Sequence, residues 1–301
     1  MQAIIARMCD ESRIWDKITA AVCCARELRL VHGAPGQQLF PDKEKQDLAQ
    51  QSVWLLYSLE TEYAVNFGML PMLDHECCSW RPCLSDGNDI LCTTSYTYSE
   101  LLHRVFRSQY SPQALKRSAS AHDRCDRLKA RYLELGEWLD SLPAPLNMAH
   151  DPIFLESLRH DDQQLRRAFH IFCMYHWAVF FIHCPWATSA MSLNDKSGAT
   201  ERLREPCIKR CIDSASSVIK LASSGLFWEK ELGSSSDTRW GKMRDLLLVS
   251  LCFIVCYLVH GENVNRKGLI SYLAIFGGLL GRLSLDGEAS LNDYLQVVHL
   301  V

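Results

Sequence analysis

The sequence lacks the short motifs of most ligand-processing enzymes, and it lacks runs of positive charge. Its 301 residues contain no nucleophile elbow, phosphate-binding loop, dinucleotide-binding glycine pattern or aspartate-rich metal motif. We therefore expect no cofactor. The 32 Lys and Arg residues are scattered among 35 acidic ones, for a net charge of -3. Without a basic cluster to neutralise phosphates or anionic lipid, we expect no direct nucleic-acid partner and no membrane partner.

No apolar run is long enough to cross a bilayer. The longest, residues 246–259 and 268–281, fall short of the roughly 20 residues that a transmembrane helix needs, so they predict buried core helices. The first residues carry only a brief apolar patch without a small-residue cleavage site, which is not the pattern of a signal peptide. We expect a cytoplasmic or nuclear protein that is not secreted.

The 14 cysteines do not form a recognisable framework. Four pairs stand out: Cys23-Cys24, Cys77-Cys78, Cys207/Cys211 and Cys252/Cys256. The two adjacent pairs suit neither a disulfide scaffold nor a zinc knuckle. The two pairs at i,i+4 spacing would each supply at most half of a metal site. We predict that most of the cysteines are buried and reduced, and that no metal is bound.

Apolar periodicity predicts an all-α fold, a single large multi-helix domain over residues 1–301. Helices are predicted over residues 10–31, 43–67, 99–106, 112–142, 163–183 and 206–222, with two core helices after them. The helix over 163–183 is apolar nearly all round, so we predict that it is the buried central element. Residues 73–97 are expected to be irregular. The polar segment 190–204 is expected to be a linker, where the domain could be subdivided.

Two segments carry a family resemblance. The first has Trp54, Tyr57 and Glu60 on one helix, followed by Gly68 and Pro71; the second has Tyr175-His176 and then His183-Cys184-Pro185-Trp186. In this order and spacing they resemble the regulatory domain of fungal-specific transcription factors, also called the middle homology region. The segments 20–32 and 211–221 are similar to two further helices of that domain. The six-cysteine binuclear zinc cluster, with which such factors hold DNA, does not occur in this sequence.

The resemblance leaves three functional hypotheses. The first is a stand-alone helical scaffold that binds a hydrophobic small molecule in fungal secondary metabolism. Such a scaffold could catalyse a cofactor-free, pericyclase-like cyclisation or a dehydration. The alternative is the effector-sensing regulatory domain of a transcription factor, separated from its DNA-binding domain. The third is an interaction or dimerisation module, and a homodimer is left open.

Glu60 and His176 are the candidate catalytic residues. The helix neighbours of Glu60 are apolar, so its carboxylate is predicted to face the core, where it must be paired or protonated. His176 lies in a similar apolar setting. For both residues a structural role, as a hydrogen bond between helices or a neutral core histidine, stands beside an acid–base role. We predict that they face the same interior.

The remaining candidates are aromatic and imidazole side chains that would line a ligand-binding interior. They are Trp54, Tyr57, Tyr63, His75, Trp177, His183 and Trp186. His75 belongs to the polar trio Asp74-His75-Glu76, for which a solvated turn is the alternative. His183 lies two turns beyond His176, but no third ligand completes a metal site with them.

Overall fold

Every regular element in the described part of the chain is a helix, which confirms the all-α prediction. The computed structural model describes residues 2–31, 42–66, 68–73, 90–111, 121–187, 198–224, 238–260 and 266–285, together with Phe40 and Ala114. Its helices are α1 (Gln2–Glu27), α2 (Lys43–Asn66), α3 (Ile90–Gln109), α4 (Ala121–Asp140), a 3-10 turn (Leu146–Met148), α5 (Pro152–Ser157), α6 (Asp162–Ala187), α7 (Gly198–Ser223), α8 (Thr238–His260) and α9 (Arg266–Leu285). None of the helices in these ranges combines the length and the apolar character that a membrane span requires.

The helices divide into two compact units, an N-terminal unit of residues 2–118 and a C-terminal unit of residues 119–301. The boundary therefore lies well before the segment 190–204, where the sequence suggested a subdivision. That segment belongs to the C-terminal unit, and its residues from Gly198 onward are helical rather than a linker. The expectation of one domain stays a prediction, because compact units of this kind also occur within single domains.

In the N-terminal unit, α2 packs against both α1 and α3. Trp54 and Tyr57 of α2 are buried in its core, where their ring centroids lie 6.2 and 5.3 Å from that of Tyr96 on α3. From α1, Ile18 and Val22 complete this cluster. Apolar side chains at helical spacing thus hold the three helices together.

Both α1 and α2 end in a left-handed residue. After α1, Arg29 has φ 54°, and the N–H of Leu30 donates to the carbonyl of Ala25 at 2.8 Å. After α2, Gly68 has φ 67°, and the N–H of Met69 donates to the carbonyl of Ala64 at 2.8 Å. This is the Schellman arrangement, which satisfies carbonyls that a helix end leaves open. Gly68 acts as the stop that the sequence predicts, whereas α1 stops before its predicted end.

In the C-terminal unit, α6 is the buried central helix that the sequence predicts. It packs against α4, α5, α7 and α8, and residues from all around its axis are buried. It also continues through Pro185 to Ala187, past its predicted end. Likewise α7 contains Pro206 rather than starting there. A proline within a helix removes one backbone hydrogen bond at a cost of about 3 kcal/mol, which the packing of these helices against their neighbours offsets.

The expected irregular segment over residues 73–97 is wrong for its last part, because α3 already begins at Ile90. Residues 90–99 are rich in Thr, Ser and Tyr, which are weak helix formers. In the folded chain the hydroxyls of Thr97 and Ser99 donate to carbonyls one turn earlier, at 3.0 and 2.8 Å. Tyr96 and Tyr98 of the same segment are buried. Tertiary packing therefore outweighs local propensity here.

Candidate functional site

Glu60 is fully buried in α2 and accepts two backbone hydrogen bonds. Its Oε1 lies 2.5 Å from the backbone nitrogen of Met72, and its Oε2 lies 3.4 Å from that of Leu73. These donors follow the turn at Gly68, so the carboxylate ties the chain beyond α2 back onto that helix. Each carboxylate oxygen has a partner, which is the paired state that a buried carboxylate requires.

Arg26, near the end of α1, reaches the same segment. Its guanidinium donates to the carbonyl of Met72. Burial raises the pKa of Glu60 to about 7, although the two backbone N–H groups and the Arg26 charge act in the opposite direction. Glu60 and Arg26 therefore bind the two sides of one peptide segment and join α1, α2 and the turn after it.

His176 joins three segments of the C-terminal unit. From α6, its Nδ1 lies 2.8 Å from the Ser214 hydroxyl of α7, and its Nε2 lies 3.1 Å from the backbone carbonyl of His150. His150 directly precedes the start of α5, where Asp151 caps the helix by accepting the N–H of Ile153 at 2.9 Å. The imidazole therefore connects α6, α7 and the turn that leads into α5.

These partners fix the protonation of His176. A carbonyl can only accept, so Nε2 carries the proton and Nδ1 accepts the hydroxyl proton of Ser214. Burial lowers the pKa of His176 to about 3, so the ring is neutral at physiological pH. This is the neutral core histidine of the structural interpretation, and both of its nitrogens are engaged.

His183 is also buried but makes no hydrogen bond in the described part of the chain, at either nitrogen. Its ring meets the ring of Tyr132 from α4 at a centroid distance of 5.0 Å. Arg210 of α7 also contacts Tyr132. Its guanidinium carbon is 3.8 Å from the centroid of the Tyr132 ring. Burial, and secondarily the Arg210 charge, lowers the pKa of His183 to about 3. His183 is thus a neutral aromatic packing residue.

A pocket of about 190 Å³ opens beside His176, within the C-terminal unit. Its lining comes from α4, α6, α7 and the turn before α5: Tyr132, His150, Tyr175, His176, Val179, Arg210, Asp213, Ser214 and Ser217. Burial raises the pKa of Tyr175, and the neighbouring Tyr132 hydroxyl acts in the same direction. The lining therefore combines aromatic and apolar walls with polar groups and one guanidinium.

The predicted ligand-binding residues occupy several environments. Trp54 and Tyr57 belong to the core of the N-terminal unit, and Tyr63 packs partly buried against it. Trp177 and Trp186 lie on α6, and neither indole N–H has a hydrogen-bond partner among the residues described. His75 lies outside the described residues. Of the predicted site residues, His176 alone is among those that line the pocket.

Glu60 and His176 belong to different units. The hydrogen-bond partners of Glu60 come from residues 72 and 73, and those of His176 from residues 150 and 214. Each residue is therefore bonded within its own unit. Their participation in one shared site stays a prediction, as do their catalytic roles.

Sequence reasoning missed Arg210 as a site residue. On α7, Arg210 shares one helix face with three polar residues that also line the pocket. These are Asp213, Ser214 and Ser217, at positions i+3, i+4 and i+7 from it. A polar stripe on a helix that also carries many buried apolar residues was the available signal. The partner of Arg210, Tyr132, lies 78 positions earlier, and no local pattern indicates that contact.

Three of the described cysteines in the C-terminal unit are buried, whereas Cys23 and Cys24 on α1 are exposed. Cys184 of α6 and Cys211 of α7 share a hydrogen bond, which with burial raises the pKa of Cys211. Burial likewise raises the pKa of Cys207 to about 11. Across the ranges that the structure describes, no three His, Cys, Asp or Glu side chains come together as metal ligands. The metal-free state stays a prediction.

Similar curated proteins are fungal transcription factors, which confirms the resemblance seen in the sequence motifs. The chain is 28% identical over 237 residues to the terrein cluster-specific transcription factor terR of Aspergillus terreus. This alignment covers 74% of the chain and 34% of that protein. It is 22% identical over 334 residues to the fumonisin cluster-specific transcription factor FUM21 of Gibberella moniliformis. This alignment covers 99% of the chain and 48% of that protein. The chain thus spans less than half the length of either relative. No family model matches it, and no solved structure does.

Proposed function

We propose that this chain is a helical regulatory module of a fungal transcription factor that controls a secondary-metabolite gene cluster. The observation that carries the proposal is the extent of the similarity to two cluster-specific transcription factors. The alignments cover 74% and 99% of the chain, which is far more than a shared short motif. A nuclear location follows from this function.

The bonding of Glu60 and His176 favours regulation over the alternative, a cofactor-free cyclisation or dehydration. A general acid or base needs a lone pair or proton within reach of the substrate. Both oxygens of Glu60 accept backbone N–H groups, and both nitrogens of His176 are engaged by Ser214 and His150. The two residues therefore fit structural roles better than proton transfer.

The proposal assigns sequence-specific DNA contact to another segment or to a partner protein. The chain carries a net charge of -3. Proteins that bind DNA through their own surface usually carry a basic patch, which releases counterions from the phosphates. In this module the helices would transmit regulation, and a homodimer would suit a factor that binds paired DNA sites.

A reporter experiment tests the regulatory function. The full chain is fused to a heterologous DNA-binding domain and expressed with a reporter gene in yeast. We expect reporter expression to change several-fold, up or down, relative to the DNA-binding domain alone at equal protein level. Reporter output that equals that of the DNA-binding domain alone contradicts the proposal.

A matched pair of variants shows whether the folded module causes the effect. Phe172→Ala removes a fully buried ring from α6, and such a change costs about 3–5 kcal/mol, so it should abolish the effect. Leu133→Ala changes a side chain that is 65% exposed and should leave it intact. In parallel, the purified chain is incubated with polyketide and terpenoid compounds. Turnover that His176→Gln abolishes would instead favour the enzymatic alternative.

A further inference from the structure

The pocket beside His176 contains a cation, Arg210, that has no anionic partner among the described residues. Arg210 is half-buried, and its guanidinium carbon lies over the ring of Tyr132, 3.8 Å from the ring centroid. In the described ranges it forms neither an ion pair nor a hydrogen bond. A guanidinium stacked on an aromatic ring keeps its N–H groups at the edge, where they match the two oxygens of a carboxylate. Arg210 is therefore prepared to receive an anion.

The other pocket residues restrict what this anion can be. Tyr132 and Tyr175 supply aromatic walls, and Val179 supplies an apolar one. His150 lines the same pocket and has a buried Nδ1 without a hydrogen-bond partner among the described residues. His176 is neutral and already bonded, so it adds no charge. The exposed carboxylate of Asp213 also lines the pocket and would repel a second negative charge.

The volume sets the size of the ligand. A cavity of about 150 Å³ is sufficient to hold benzene, and this pocket measures about 190 Å³. It therefore accommodates one ring with a small substituent. The combination of aromatic walls, one guanidinium and one opposing carboxylate selects an aromatic ring that carries a single negative charge.

We propose that this pocket binds a small monocyclic aromatic acid, whose carboxylate pairs with Arg210 and whose ring packs against Tyr132 and Tyr175. The sequence predicts a hydrophobic small molecule as the ligand. The pocket specifies it further, as an aromatic molecule that carries one negative charge. The inference deepens the proposed function and rests on it in one respect: the acid would be the effector that the regulatory module senses.

Calorimetric titration of the full chain with benzoate and salicylate tests the binding. We expect saturable binding of at least one of these acids. Benzamide has the same shape without the charge, and phthalate adds a second carboxylate, so both should bind at least several-fold more weakly. No saturable binding of either acid, or equal affinity for benzamide, overturns the proposal.

Two neighbouring variants locate the site. Arg210→Gln should weaken binding of the acid by about tenfold or more, because it removes the charged donor. Lys209→Gln removes an exposed positive charge one residue earlier and should leave the affinity unchanged. Circular dichroism and the melting temperature establish that each variant folds. A folded Arg210→Gln protein that binds as tightly as the parent places the acid elsewhere and overturns the assignment.

The reporter fusion separates this inference from the proposed function. Reporter activity without binding of any acid overturns the ligand site and leaves the regulatory function standing. Binding without reporter activity overturns the regulatory function and leaves the site standing. If both hold, added salicylate or benzoate should change the output of the parent fusion and of Lys209→Gln, but not that of Arg210→Gln. An equal response in all three would overturn the role of the pocket as the effector site.

Discussion

The carboxylate of Glu60 accepts the backbone N–H of Met72 at 2.5 Å, while Arg26 donates to the carbonyl of that same residue. A single peptide segment is thus bound on its donor side by α2 and on its acceptor side by the end of α1. The left-handed Gly68 brings the segment back towards α2. The position of this turn therefore depends on side chains from two helices, and not on its own residues alone.

Glu60→Gln should destabilise the N-terminal unit. The amide offers one acceptor oxygen, and its NH2 group faces the second backbone N–H, which then loses its partner. We expect the free energy of unfolding to fall by about 1–3 kcal/mol at pH 5, measured by urea denaturation. Asp47→Asn on the exposed face of the same helix serves as the control and should change little. An unaltered urea midpoint for Glu60→Gln would show that the hydrogen bonds of Glu60 do not contribute to stability.

The same substitution should also alter the pH dependence of stability. Burial raises the pKa of Glu60 from 4.5 to about 7, so the folded chain holds this proton more tightly than the unfolded chain. The stabilisation is complete below pH 4.5 and is lost as the pH rises through 7, a change of up to about 3 kcal/mol. The difference in unfolding free energy between the parent and Glu60→Gln should therefore shrink from pH 4.5 to 8. A difference that widens over this range would contradict the shift.

His183 should make the C-terminal unit sensitive to acid. Its pKa is lowered to about 3, so its neutral form stabilises the fold above pH 6.5, and this contribution is lost as the pH falls from 6.5 towards 3. In His183→Phe, which replaces a buried imidazole without hydrogen bonds by an apolar ring, the loss of melting temperature between pH 7 and 5 should be smaller. His160→Gln alters an exposed histidine and should show the full acid loss of the parent. Identical pH profiles for the parent and His183→Phe would refute this.

Ser214→Ala should destabilise the C-terminal unit, because it leaves Nδ1 of the buried His176 without its donor. The expected cost is about 1–3 kcal/mol, measured by thermal or urea unfolding. Ser216→Ala is the matched control, since that hydroxyl only donates to the carbonyl of Ile212 in its own helix at 2.8 Å. Alanine is the better helix former there, so the control should be neutral or slightly stabilising. Equal effects of the two substitutions would exclude a specific role for the His176 bond.

Two glycines should respond to alanine in opposite directions. An added Cβ would meet no atom within 4 Å at either Gly68 or Gly136. At Gly68 the left-handed φ of 67° remains, so alanine should cost about 1–2 kcal/mol through strain alone. At Gly136, within α4, alanine should stabilise by about 0.5–1 kcal/mol. Urea unfolding of both variants measures this, and a neutral Gly68→Ala would mean that the turn relaxes readily.

Much of the fold could be predicted because helical periodicity is a local property. The apolar surround of Glu60 correctly indicated its burial, and the all-round apolar character of residues 163–183 indicated the central helix. The start of α3 could not be predicted in this way. Its Thr- and Tyr-rich first turns become helical through packing with α2, which depends on residues distant in the sequence.

The site was predictable only in part, for the same reason. His176 stood out because a polar residue interrupts an apolar stripe, and it does line the pocket. The contact between Arg210 and Tyr132 could not be predicted, because it joins two helices that are distant in the sequence. The expectation of a hydrophobic ligand followed from the family resemblance and from aromatic content, and neither shows that a guanidinium lies over one of those rings.

The bond from His176 Nε2 to the carbonyl of His150 has a use as a spectroscopic reporter. His176 is buried and its imidazole proton is held in this bond, so the proton should exchange with solvent far more slowly than that of an exposed histidine. It should therefore give a slowly exchanging, downfield imidazole signal in proton NMR spectra of the folded protein. The rate at which that signal disappears in heavy water would measure how often α6, α7 and the turn before α5 come apart. A ligand seated beside His176 would slow the exchange.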